Sequence, residues 1–277
     1  MFAAPGPALP DLKRPARGKP GARLVTVAAS RRITPNMIRL TLTGPDLADV
    51  RIGCEGANCK ILLPEAGQTR EGFAQQIKQG PRPVTRTYTV RHWRPEALEL
   101  DVDFVDHGNE GPASAFANRA VPGDFCGFAG PGPVKLAGLT ADWYLVAADM
   151  SALPVAAATL EAMPRDARGV AIFEVTDPAD RQQIDAPEGI VQHWLPLPDP
   201  HRPSQAQETL IRALDWPEGP DVRVQTCIAG ESAVIKSLRA YLHQDRALPR
   251  KDTYISGYWK IGLVEEEHQA EKRRDNA

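Results

Sequence analysis

A six-stranded antiparallel β-barrel followed by a parallel-sheet α/β domain is the fold class this sequence predicts, and three observations predict it. Residues 23–136 carry short β-type runs separated by turn residues. After Gly138 the rhythm changes to apolar strands alternating with helix-like segments, the pattern of a parallel sheet. A chain of 277 residues also exceeds the usual reach of one hydrophobic core. The expected division is a flexible tail at 1–22, a barrel at 23–137 and an α/β domain at 138–277 that ends in a helix.

Residues 1–23, the tail and the first barrel residue, are rich in Pro and Gly and set Lys13, Arg14, Arg17, Lys19 and Arg23 against Asp11, with no apolar stretch of the kind that directs export. Barrel strands are expected at 23–29, 37–43, 58–63, 84–91, 98–105 and 123–129. The polar, Gly-containing stretch 65–83 reads as a long loop with a short helix at 72–79. In the second half, strands are expected at 143–148, 170–175, 190–195, 222–228 and 253–256, and helices at 152–162, 204–214 and 231–244. The segment 264–274 places Glu265, Glu266 and Glu267 before Lys272, Arg273 and Arg274. That order suits a helix dipole, and a solvated terminal helix is the expectation.

With 42% hydrophobic and 25% charged residues the composition is that of a soluble globular protein, and a net charge of -2 argues against general nucleic-acid binding. The most apolar stretch, 143–160, is interrupted by Asp149 and Pro154 and does not read as a membrane span. Cys54, Cys59, Cys126 and Cys227 are few for a disulfide scaffold, and a cytoplasmic location follows as the expectation. Cys54 and Cys59 have the C-x4-C spacing of part of an iron–sulfur site, but the next ligand is missing. No metal site is expected.

The segment Arg86-Thr-Tyr-Thr-Val-Arg91 concentrates cations, hydroxyls and an aromatic ring on one β-type run. Strand alternation places Arg86 and Tyr88 on one face, and Thr87, Thr89 and Arg91 on the other. Arginine offers a planar fork to phosphate, and tyrosine offers a stacking surface with a polar tip. By itself the segment suits a flavin nucleotide or a solvated sheet face. Downstream, Asp106-His-Gly108 precedes Gly111-Pro-Ala-Ser114. Pro112 is placed for the first position of a helix, whose free amides at Ala113 and Ser114 would face an anion such as a pyrophosphate. His107 fits either a cofactor contact or a local hydrogen bond. After the strand at 143–148, Asp149-Met-Ser-Ala-Leu-Pro154 lacks a G-x-G-x-x-G dinucleotide fingerprint.

Taken in order, these motifs together with Gly123-Asp124, Gly130-Pro131, Ile228-Ala-Gly-Glu231 and Gly257-Tyr-Trp-Lys-Ile-Gly262 resemble the siderophore-interacting proteins, flavin-dependent ferric-siderophore reductases of the ferredoxin-reductase-like superfamily. The resemblance spans roughly residues 20 to 263. It implies an FAD-binding barrel, a nicotinamide-type second domain, NAD(P)H or ferredoxin as electron donor, and a ferric siderophore as substrate in the cytoplasm. It assigns FAD to Arg86, Tyr88, Thr89 and Arg91 as a first set and to Val105, His107, Ala113 and Ser114 as a second. The family's basic substrate positions fall on Lys60 and Lys260. Gly130-Pro131-Gly132-Pro133 offers no third cation, and Met150-Ser151 stand where members often carry Glu-Thr. No protein side chain is implied as an iron ligand or covalent catalyst. Another flavin reductase on the same scaffold, or a siderophore-binding protein without turnover, is the competing expectation.

Overall fold

β1 (Arg23–Thr34) and β2 (Met37–Thr43) form a hairpin, because alternate residues of each are apolar and can share one buried face. Val25, Val27, Leu40 and Leu42 are buried there. The far half of β1 is polar and exposed, yet it stays paired with β2 as far as Thr34, beyond the expected end at 29. The computed structural model describes residues 21–275 other than 110, 137 and 220; the expected tail lies outside the described residues, apart from its last two.

Around this hairpin lie β3 (Asn58–Leu63), β4 (Val84–Thr89), β5 (His92–Arg94), β6 (Glu99–Val105) and β7 (Phe125–Ala129), in the antiparallel order β4-β3-β7-β1-β2-β6-β5. The sheet has seven strands rather than the expected six. The run expected as one strand at 84–91 bends at Val90-Arg91, so that β4 pairs with β3 while its continuation β5 pairs with β6. Val90 N–H donates to Ala57 O at 2.9 Å and Arg91 N–H to Asp101 O at 2.8 Å, and one bent segment thereby joins both margins of the sheet. α1 (Arg70–Gln79) lies in the long loop, with Thr69 as its N-cap accepting from Gly72 N–H. α2 (Pro112–Arg119) covers one end of the barrel and buries Phe116 and Ala117.

The second sheet contains β8 (Trp143–Ala148), β9 (Arg168–Val175), β10 (Gly189–Pro196), β11 (Val224–Glu231) and β12 (Thr253–Trp259), all parallel, in the order β10-β9-β8-β11-β12. Tyr144, Val146 and Ala148 pack with α3 (Leu153–Glu161), whereas Leu145 and Ala147 pack with Ile211 of α4 (Ala206–Arg212) and Ile235 of α5 (Ser232–Ala240). Helices therefore cover both faces, which is why these strands read as continuous apolar runs. α5 ends four residues before the expected position 244, and a π-type turn, Tyr241–Asp245, follows it. α6 (Glu265–Asp275) closes the described chain. The strands of the two sheets are separate, and the expected division at 137/138 falls in the connection between Ala129 and Trp143. Among the described residues no helix is long and apolar enough to cross a membrane.

Two carboxylates, Asp180 and Glu161, lock the halves together. Asp180, fully buried, accepts from Thr34 Oγ1, Asn36 N–H and Asn36 Nδ2, each at 2.8 Å. Arg91 grips Glu161 at the end of α3 with two bonds of 2.6 Å.

Candidate functional site

Pairing of β3 with β4 sets Lys60 opposite Thr87 and Asn58 opposite Thr89. Tyr88 packs on Phe104 with ring centroids 4.2 Å apart, and burial raises its phenol above the usual range, so the ring carries a neutral hydroxyl. Thr89 is buried beside the Tyr258 side chain of β12. Arg86 is mostly covered and turns towards Glu265 and Glu266 of α6. Arg91 points elsewhere: its guanidinium is engaged by Glu161, with Asp103 at 4.0 Å, and is buried between the two halves.

The turn after β6 is wired internally. Ser114 is buried; its hydroxyl accepts from His107 N–H at 2.9 Å and donates to Gly108 O at 2.8 Å. Asp106 accepts from Gly108 N–H and Asn118 Nδ2 and pairs with Arg32 at 2.7 Å. Burial opposes ionisation of Asp106, but these donors prevail and draw its carboxyl down to about 2. The hydroxyl of Ser114 thus shapes the loop that carries His107. Ala113 and Ser114, both buried, lie at the start of α2, which opens on Pro112 with no side-chain cap on its N–H groups. An uncapped helix start, an arginine and an aromatic face are a donor set that fits a flavin nucleotide.

Strand order reverses between β8 and β11, and a crevice of about 280 Å³ opens at the carboxyl ends there, where doubly wound sheets bind ligands. Val105 and His107 of the barrel side face Asp149, Glu174, Glu231, Trp259, His201 and Arg202 across it. Asp149 accepts from Ser151 N–H at 2.9 Å, Ala152 N–H at 3.2 Å and Trp259 Nε1 at 2.7 Å. Gly230 leaves room for it, since a Cβ there would lie 2.7 Å from Asp149 Oδ2. Burial raises both Asp149 and Glu174 above the usual carboxylate range, and the charge of Asp149 adds to the rise at Glu174. The amides that a glycine-rich turn would turn to a pyrophosphate are already used by Asp149.

The basic candidates gather around α6. Lys60 hydrogen bonds Thr87 Oγ1 and lies 4.0 Å from Glu265, and Lys260 meets Glu271 at 2.5 Å. Burial lowers the Lys60 amine, and the Glu265 charge offsets part of that effect. Lys135, absent from the sequence-derived set, donates to Asn58 Oδ1 at 2.7 Å and lies over the Tyr254 ring at 5.8 Å. Asn58 and Lys60 share a face of β3, so Lys135 brings a cation beside Lys60. The Gly-Pro repeat just before it gave no hint that the chain would turn back onto β3. The structure therefore brings Lys60, Arg86 and Thr87 together, joins Lys260 to them through α6, and groups Val105 and His107 at the crevice.

Residues 26–135 match the siderophore-interacting FAD-binding domain, and residues 141–262 match the siderophore-interacting protein family. The chain is 34% identical over 258 residues to the ferric vibriobactin reductase ViuB of Vibrio cholerae, covering 90% of this chain and 93% of that one. The crystal structure of the siderophore-interacting protein SipS from Aeromonas hydrophila superposes with a TM-score of 0.77 at 33% identity, covering 93% of this chain and 99% of that one. A siderophore utilization protein from T. fusca gives a TM-score of 0.71 at 35% identity, covering 88% of this chain and 94% of that one.

Proposed function

The chain belongs to the siderophore-interacting protein family, and on that premise we propose that it is an FAD-dependent reductase that delivers electrons to ferric siderophores, releasing Fe(II) in the cytoplasm. The observation that carries this reading is the juxtaposition of the flavin-type strand, Arg86 to Thr89, with Lys60 on the strand beside it. Four buried, free cysteines suit a reducing compartment.

Bound FAD supplies the exchange between a two-electron donor and Fe(III), which accepts one electron. Arg86 holds the pyrophosphate charge together with the amides at Ala113 and Ser114; Tyr88 gives the ring system a stacking face; Thr89 offers a hydroxyl. Val105 and His107 form the wall on the crevice side. Arg91 serves the cofactor indirectly, through its bonds to Glu161, by holding the end of the flavin strand against the second half. Lys60 and Lys260, with Lys135 as the third cation, attract an anionic chelate, whose hard oxygen ligands hold Fe(II) less firmly than Fe(III). The electron donor is NAD(P)H or a reduced ferredoxin. Because Asp149 uses the amides at the start of α3, the phosphates of a nicotinamide donor would lean on His201 and Arg202 across the crevice. The same reading takes 23–137 as the flavin domain and 138–277 as the donor domain.

Lys60→Ala and Lys260→Ala are each expected to raise the KM for an anionic ferric siderophore by about fivefold to tenfold while FAD stays bound, since each removes one cation from a partly exposed site. Steady-state kinetics and the flavin-to-protein absorbance ratio check this. Loss of flavin with an unchanged KM would overturn the division of roles.

A further inference from the structure

α6 sets a carboxylate against every one of the cations Lys60, Arg86 and Lys260. Glu265 accepts from Thr87 N–H at 3.1 Å and from the Thr87 hydroxyl at 2.7 Å, with Arg86 at 3.7 Å and Lys60 at 4.0 Å. Glu266 binds Arg86, and further along the helix Glu271 takes Lys260. Thr87 lies on β4, at the margin of the sheet, so its N–H can turn outward to Glu265. Two cations, a hydroxyl and a backbone N–H around one carboxylate form the surroundings of a bound anion. α6 is polar throughout, and His268 is the one buried side chain among those described on it. Charge, more than apolar packing, keeps it in place, and exposed ion pairs are individually weak.

We propose that Glu265 and Glu271 are specificity-determining residues: they hold the substrate cations in a self-neutralised state, and an anionic ferric chelate enters by exchanging its oxygens for theirs. This rests on the assignment of Lys60 and Lys260 to the chelate. A trianionic chelate, such as a tris-catecholate complex, meets both lysines with more charge than the two glutamates bring. A neutral tris-hydroxamate complex has no such advantage, so the helix acts as a charge filter. Replacing the glutamates with isosteric amides frees the lysines without uncovering the site.

The test uses full-length, FAD-loaded protein titrated with gallium(III) complexes, which keep the charge and shape of the ferric chelates and are not reduced. E265Q/E271Q is expected to bind the trianionic gallium tris-catecholate about tenfold more tightly than the parent, with a change of about twofold or less for the neutral gallium tris-hydroxamate. High salt should erase most of the difference. The single variants E265Q and E271Q should each give part of the gain. Glu267→Gln, on the same helix but bonded to its own first turn through Val264 N–H, should give none. Unchanged or weaker tris-catecholate binding by the double variant, equal tightening for both chelates, an equal gain from E267Q, or no binding by any of the proteins would each overturn the proposal. A parent protein that binds the gallium complex but yields no Fe(II) from the ferric one would instead count against the reductase reading alone.

Discussion

Arg86→Ala is expected to purify with little or no FAD and to bind added FAD about 10- to 100-fold more weakly, the effect of losing a charge-assisted hydrogen bond worth about 1.5–3 kcal/mol. Arg86 sits in the middle of β4, where alternation puts it on the same face as Tyr88. Its guanidinium is held by Thr85 O at 3.1 Å and by Glu265 and Glu266, so the fork is oriented before a ligand arrives. Arg86→Lys keeps the charge without the planar fork and should fall between the two. Flavin absorbance of the purified variants and calorimetric titration with FAD measure the effect. A fully flavinated Arg86→Ala protein would remove Arg86 from the cofactor site.

Asp180→Ala is expected to destabilise the protein by about 3 kcal/mol, lowering Tm by roughly 6–12 °C, because it strands half-buried donors that belong to the other half of the molecule. Thr34 and Asn36 in the β1–β2 turn lose their acceptor, and Asp177 N–H loses one at 3.0 Å. Asn36 also lines the crevice, so the same change loosens the wall opposite Glu174. Asp180→Asn keeps one acceptor oxygen and should cost less. Thermal unfolding followed by circular dichroism checks both. A Tm within about 1 °C of the parent for Asp180→Ala would show that this contact does not anchor the two halves.

Both sheets were legible where a strand is long and its burial regular. β2, β3 and β8 begin and end where alternation or an apolar run says they should, because each residue's environment repeats along the strand. β5 escaped notice because three residues, His92, Trp93 and Arg94, carry no period of their own and are defined by their pairing with β6. The bend at Val90-Arg91 is equally a tertiary feature, since the margins of the sheet must meet before the strand has reason to break. At the site, the chemistry of Arg86, Tyr88 and Lys60 could be read from residue type and alternation. The contacts of Lys135 with Asn58 and of Glu265 with Thr87 could not, for those partners are far apart in the chain: the first pair meets only when the barrel forms, the second only when the two halves pack. Ser114 shows the same limit: its residue type suggested a phosphate donor, and the fold uses its hydroxyl to shape the turn that carries His107.

Electron transfer from bound flavin to the ferric chelate is the step on which everything else depends. The FAD-loaded protein, reduced without oxygen and mixed with an anionic ferric siderophore and a ferrous trap, should return to the oxidised flavin spectrum with about two Fe(II) trapped per flavin, because the cofactor carries two electrons and each iron takes one. NADH, NADPH and reduced ferredoxin, compared as the initial reductant, identify the donor. A flavin that stays reduced, or one that is reoxidised with no Fe(II) in the trap, would contradict the assignment of this chain as a ferric-siderophore reductase.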